Sequence, residues 1–505
     1  MKSWLTRSLF IGGIFSLVWL AVIFHWRTNN RMPNGGDLAL YFFVLPVALL
    51  LAICLSFKAW SFASSTSAAS ESAASSAKLA DGNAAAFESL AVHERTLSIA
   101  LLASAIRTAH GSSAEELTAN LKANEARLDL DPELTNQDGF PVLSGRIAAI
   151  DEAAQREALS SWSRMTGRAE VDWSTEQLRA IAIGSEVAIE LAQQVVKHPE
   201  LEPYIAALAK NCDLPALPML QLMLLLPENW GGEKRQFVVD WFSHLIQQQG
   251  WPVAKMSFCP VVESSYTRAL TVIDQLMLDT FRMQTPLQTC FAMVLACDSH
   301  LGEATIQDWE DSGKLFTGKN GDAGKTQMPG EGAAGFLLAD ARQAQLMALE
   351  TNVRLHRIVQ NRRSKSIDAR GNVADPMLQE MVQDALATSQ ISADQISLIS
   401  SDTDQRSNRI VELMGLGAKL FPELDPATQY FKLASHCGDM GAVGSLAALA
   451  LGHSHVANEA EPALCISNID THERTVAVLS PWAAAATASA TTSAINSATN
   501  SAITT

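Results

Sequence analysis

Gln327–Asp340 reads QMPGEGAAGFLLAD. The small residues Gly330, Gly332, Ala333, Ala334 and Gly335 allow backbone to pass close to a neighbouring segment, as a glycine-rich turn does. The apolar run Phe336-Leu337-Leu338-Ala339 that follows predicts a buried strand over 335–339. Upstream, Ala292–Asp298 (AMVLACD) is a second apolar strand, preceded by a helical segment over Thr267–Arg282. The order is thus helix, buried strand, long loop, glycine-rich turn, buried strand.

Working outward, Leu97–Leu102 (LSIALL) predicts a strand and Ala114–Glu125 a helix, and Asp138-Gly139-Phe140-Pro141 a turn before Val142-Leu143. Trp173–Lys197 carries Leu178, Ile181, Val187, Leu191 and Val195 at helical spacing. Met219–Leu226 (MLQLMLLL) is the strongest strand. It is followed by a helix over Lys234–Gln249 and a strand over Val253–Phe258. Fully apolar strands alternating with helices indicate a mainly parallel sheet covered on both faces. After Val353 the pattern repeats. Helices are expected over Pro376–Ala387 and Arg409–Phe421, with an Ala-rich one from Gly441-Ala442-Val443-Gly444 to Leu451. Strands are expected over Ile396–Ile399, Ala463–Ser467 and Thr475–Leu479.

The 505 residues carry 37 Lys and Arg against 53 Asp and Glu, a net charge of −16, which argues against nucleic acid as a partner. Ser8–Trp26 and Leu38–Phe57 contain no Asp, Glu, Lys or Arg and are each long enough to cross a bilayer. Lys2 and Arg7 would also suit a signal peptide, but the second span favours a two-helix anchor. Lys2, Arg7, Lys58 and Lys78 outside the pair outnumber Arg27 and Arg31 between them, placing the large region in the cytoplasm at the inner membrane. Seven scattered cysteines without CxxC spacing fit reduced core residues. Ser61–Ala86 is an Ala/Ser-rich tether, and Ala483–Thr505 has the composition of a disordered tail.

Three further motifs are weak. Gly318–Thr326 (GKNGDAGKT) resembles a phosphate loop with one residue too many between its glycines. His453-Ser454-His455 has no acid or thiol at ligand spacing and reads as a surface loop. Arg354–Arg370 holds six Arg and Lys and reads as a solvated connection, with a docking surface as the alternative. Trp173, Trp230, Trp241 and Trp251 read as packing residues. No catalytic, cofactor-binding or metal residue is assigned, and no cofactor is expected.

GEGAAGFLL, the stretch ISLISSDTDQRSNRIVE (Ile396–Glu412) and GAVGSLAALAL (Gly441–Leu451) together resemble the thiolase/ketosynthase superfamily. The resemblance implies a duplicated α/β/α sandwich with a five-stranded sheet in each half. Asn408 and Glu412 match its pattern, but the catalytic positions depart from it. The nucleophilic cysteine falls at Ser265 or Tyr266, with Cys259 six or seven residues early. The first histidine falls at Ser401 or Asp402 and the second at Gly438, with His436 two residues off register. Asp470-Thr471-His472-Glu473-Arg474 replaces the family's glycine-rich gate. A condensing reaction requires a thiolate and oxyanion donors in register. Four losses imply an inactive site.

Two spans, a tether and a degenerate thiolase-like pair resemble the type VI secretion lipase-adaptor family, with LLLPENW, DGFPVLSGR and MPGEGAAGFLLAD as the stretches that carry it. The resemblance implies a non-catalytic adaptor that binds a phospholipase-type toxin and helps load it onto the spike protein. The implied organisation is an anchor over 1–60, a linker over 61–88, thiolase-like halves over 89–350 and 351–482, and a tail over 483–505. The competing expectation is a membrane-anchored condensing or acyl-transferring enzyme that recruits Cys259 or Cys437.

Overall fold

The computed structural model describes residues 94–148, 150–263, 265–282, 289–318, 326–347, 353–369 and 375–482. The two apolar spans, the tether, the tail and most of the phosphate-loop-like stretch lie outside the described residues. Among the described residues no helix is long and apolar enough to cross a membrane.

In chain order the elements begin with β1 (Ser98–Arg107), α1 (Ala114–Lys122), β2 (Asp129–Thr135), β3 (Pro141–Ser144), α2 (Glu152–Thr166), α3 (Thr175–Val195) and α4 (Leu201–Lys210). Then come β4 (Leu220–Pro227), α5 (Gly231–Gln248), β5 (Met256–Glu263), α6 (Arg268–Arg282), β6 (Phe291–Ser299), α7 (Glu303–Asp311), β7 (Glu331–Ala339) and α8 (Ala341–Met347). The last group is β8 (Val353–His356), β9 (Val359–Arg362), α9 (Met377–Ser389), β10 (Leu398–Ser401), α10 (Ser407–Leu420), β11 (Tyr430–Lys432), α11 (Leu433–Cys437), α12 (Val443–Glu459), β12 (Ala463–Ser467) and β13 (Glu473–Pro481).

One topology occurs twice. The spatial order β5-β4-β6-β7-β1 is third-second-fourth-fifth-first in chain order, and β11-β10-β12-β13-β8 repeats it. In each case the third, second and fourth strands are parallel and the fifth is antiparallel to both of its neighbours. Antiparallel pairing of β1 with β8 joins the two into one sheet. The sheet is therefore mixed, not mainly parallel. The expectation missed β1 and β7 as antiparallel neighbours because apolar runs do not encode direction.

Layering follows from apolar periodicity. α3, capped by the reciprocal Ser174–Gln177 box, packs one face of the first sheet half with α5. α6 packs on α12 and the first-half face (Val294, Phe336), and α12 also touches the second-half face (Leu398, Cys465). α9 and α10 cover the far side. α12 is apolar nearly all round, as a helix with sheet on both sides must be.

Several expected boundaries move. The glycine-rich segment is itself strand, since β7 starts at Glu331. Gly332 is needed there because a Cβ would lie 2.8 Å from Arg107 O and 3.0 Å from Met440 Sδ. β5 starts at Met256 because Val253–Lys255 forms a 3₁₀ turn after Pro252, and β10 starts at Leu398 behind another such turn. α12 runs on to Glu459, so His453 and His455 are helical, not loop residues. His453 is buried and hydrogen-bonds Ser104 Oγ through Nδ1 at 2.9 Å. The basic stretch after Val353 is largely solvated, as expected, but it is more than a connection. It forms β8 and β9, and Arg363 is buried against Glu412 at 2.6 Å. The four tryptophans named above are buried.

Candidate functional site

The carboxyl ends of β4 and β6, the start of α6 and the loops before α12 and after β12 meet at one place. In open α/β sheets this edge is where ligands bind. They enclose a cleft of about 590 Å³ walled by Trp230, Trp309, Tyr266, His300, Glu176 and Asp298, with Lys314 at its rim.

Asp439 is the hub, almost fully buried. Its carboxylate accepts from Tyr266 Oη at 2.8 Å, Gln327 Nε2 at 2.8 Å and the Gly441 amide at 3.0 Å. Lys314 Nζ stands 3.9 Å away and 3.9 Å from the Trp309 ring centre. Burial alone would raise the Asp439 pKa, but Lys314, His300 and these donors outweigh it and hold the group ionised. Burial, with Asp439 adding, raises the Tyr266 pKa, so its phenol stays a donor.

His300 donates from Nδ1 to Asp439 O at 2.7 Å and has Nε2 3.2 Å from the Asp298 carboxylate. Both ring nitrogens face acceptors, which only imidazolium satisfies. Burial works against that charge, yet Asp298 and then Asp439 push the pKa up to about 9. His300 is therefore no base at neutral pH. Behind it, Glu331 of GEGAAG is fully buried. It takes Arg179 as a fork at 2.8 and 2.6 Å, Ile147 N at 2.7 Å and Ser299 Oγ at 3.0 Å. That carboxylate holds the β6 and β7 ends together.

The positions that the sequence assigns to the family's catalytic groups separate. Ser265 and Tyr266 do reach the cleft at the start of α6, but Ser265 Oγ pairs with Thr267 Oγ1 at 3.2 Å, which in turn donates to Glu473 at 2.7 Å. Ser401 donates to Phe431 O at 2.9 Å. Asp402 is pinned beneath Ser467, Asn468 N and Ile469 N and does not line the cleft. Burial pushes Asp402 up to about 6, against those donors.

Gly438 is a closed position. Its φ is +77°, and an added Cβ would lie 2.7 Å from Pro329 C and 2.9 Å from Gly330 Cα. Asp439 N donates to Met328 O at 2.8 Å and Gly330 N to Asp439 O at 3.0 Å, which clamps the two segments together. His436 turns to Ala126 O at 2.9 Å. Arg474, in the gate segment, is buried on Glu412 at 2.8 Å.

The thiols are elsewhere. Cys437 is buried, and burial pushes it up to about 12. Cys259 is exposed on β5 and borders a separate, more apolar cleft of about 390 Å³ with Met223, Val261 and Leu276. Among the described residues no cluster of three or more His, Cys, Asp or Glu is arranged to hold a metal.

No family model matches the chain, and no curated protein matches it. Solved structures do. The ketosynthase from module 6 of the bacillaene synthase of Bacillus subtilis 168 aligns with a TM-score of 0.51 at 12% identity, over 76% of this chain and 72% of that one. A point mutant of the same domain gives 0.50 at 12% identity with the same coverage. At this identity the likeness shows the fold alone: the chain has the mixed α/β, thiolase-like ketosynthase fold.

Asp298, His300, Lys314, Gln327 and Asp439 were not singled out from sequence. The available signal was the Asp-Ser-His turn directly after the apolar β6 and the lone acid in the glycine turn before α12.

Proposed function

We propose that this chain is a non-condensing protein of the ketosynthase fold that acts by binding. Its cargo is a phospholipase-type toxin, which it helps to load onto a type VI secretion spike from the cytoplasmic face of the inner membrane. Gly438 carries the case against condensation, because the position of the second histidine has no room for any side chain. The hydroxyl of Ser265 is paired with Thr267, and His300 lies between Asp298 and Asp439, so neither supplies the thiolate and free imidazole that condensation needs.

The binding face is the β2–β3 hairpin with α7 beside it. Phe140 and Leu130 are 66% and 62% exposed there, a placement that favours a partner over solvent. Gln137 at the hairpin tip is held by Glu310 at 2.8 Å and Asp311 at 2.7 Å, so the apolar tip is presented on a fixed base. A specific interface needs about 800 Å² from each side, more than these two side chains supply, so the α7 surface must contribute.

The test is capture of a purified phospholipase-type toxin from the same cell by the full-length protein in detergent. Wild type should retain the lipase and Phe140→Ser should lose most of it. No capture by wild type would reject the cargo. Full capture by the variant would reject the hairpin.

A second reading, acyl transfer through Cys259, draws on the exposure of that thiol next to an apolar cleft.

A further inference from the structure

A second pocket of about 410 Å³ opens on the other side of Ser265, between the start of α6 and strands β9 and β13. Three guanidinium groups, Arg268, Arg362 and Arg474, line it against a single carboxylate, Glu473. Glu473 is already engaged, accepting from Arg362 Nη1 at 3.0 Å and from Thr267 Oγ1 at 2.7 Å. The pocket is therefore cationic in a chain whose net charge is −16.

Its walls hold polar atoms without partners. Arg474 is fully buried and spends Nε on Glu412 and Nη1 on two backbone carbonyls, while Nη2 makes no hydrogen bond. Thr475 Oγ1, on the same wall and 1% exposed, makes none either, and neither does Arg268 Nε. Buried donors are paired almost without exception, so three unpaired atoms in residues that line one pocket leave hydrogen-bonding capacity there. Glu412 already serves Arg363 at 2.6 Å and Asn468 at 3.3 Å besides Arg474 Nε. Burial lowers the Arg474 pKa despite Glu412, so an added anion would relieve that charge. The pocket also sits at the amino end of α6, a helix of 15 residues whose dipole favours negative charge there.

We infer that this pocket binds a phosphate-type oxyanion through Arg268, Arg362 and Arg474. Guanidinium forks match the geometry of tetrahedral oxyanions, and the hydroxyl of Thr475 adds a neutral donor beside them. The volume exceeds that of the bare ion, which suits a phosphate monoester with a small organic group. The site is independent of the toxin-binding proposal, because it shares no residue with the β2–β3 hairpin or α7.

Calorimetric titration of the full-length protein with inorganic phosphate and with glycerol 3-phosphate tests it, with glycerol and sodium chloride as controls. Saturable binding of a phosphate species is expected. Arg268→Gln should weaken it by about tenfold, as the loss of one charge-assisted contact does. Arg282→Gln, at the far end of the same helix, should leave it unchanged. Arg474 is not the residue to replace, since it also holds Glu412 in place. Tighter binding of the ester than of the free ion identifies an organic phosphate, and equal binding identifies the ion itself; both support the site. Absence of saturable binding by both species overturns it. So does wild-type affinity in an Arg268→Gln protein whose unfolding midpoint is unchanged.

Discussion

Replacing Gly438 by alanine tests how firmly this position is closed. Two costs add. At φ +77° an alanine sits in the left-handed region, worth roughly 1–2 kcal/mol. The new Cβ also lands 2.7 Å from Pro329 C and 2.9 Å from Gly330 Cα, backbone atoms that cannot rotate away. Relief requires the 328–330 and 437–439 segments to part. That weakens the bonds from Asp439 N to Met328 O and from Gly330 N to Asp439 O, at roughly 1–3 kcal/mol for each buried group left unpaired. The total is about 3–8 kcal/mol, a large part of the ~5–15 kcal/mol stability of an ordinary domain. Gly139 separates the terms. Its φ is +80° with nothing within 4 Å of an added Cβ, so Gly139→Ala carries only the conformational cost of roughly 1–2 kcal/mol. The assay is guanidinium unfolding of both variants followed by tryptophan fluorescence. Equal losses in the two would refute the closed position, as would a stable Gly438→His protein.

His300 has a folded pKa raised from 6.5 to about 9, so its contribution is complete below pH 6.5 and is lost as pH rises through 9. At ~1.4 kcal/mol per pKa unit this amounts to at most about 3–4 kcal/mol; His300→Gln should flatten the alkaline limb of a stability–pH curve, and NMR titration of its ring should give a midpoint near 9. His453 behaves oppositely. Burial holds it down to about 4, so stability falls as pH drops from 6.5 towards 4, and His453→Gln should reduce that acid loss in equilibrium unfolding. Glu331→Ala leaves Arg179 buried with Glu152 alone and should destabilise by about 3–5 kcal/mol in the same assay.

Much of the fold was legible because both central strands of the first half are unbroken apolar runs, from Phe291 and from Ala333 onward. The glycine-rich segment was misjudged because glycine here serves close approach inside a strand. Gly335 faces Val294 O and Leu191 where a turn glycine would face solvent. β8 and β9 escaped notice since Arg354, Arg357 and Arg362 mask their alternation. Those charges are accommodated by the Trp482 ring, Asp274 and Glu473, none of which is near in sequence. The cleft was the least legible part. Tyr266, Gln327 and Asp439 meet over separations of 112 and 173 residues, and no local spacing records that. What the sequence did carry was the absence of a thiol at 265–266 and of imidazoles at 401, 402 and 438. The packing around Gly438 leaves no room for a side chain there.

Intact-mass spectrometry of the full-length protein after incubation with a long-chain acyl thioester measures most directly whether the chain works by binding alone. The unmodified mass should persist, with no acyl adduct and no condensed product when an extender thioester is added. A stoichiometric adduct that maps to Cys259 or Ser265 and disappears in Cys259→Ala or Ser265→Ala would contradict it.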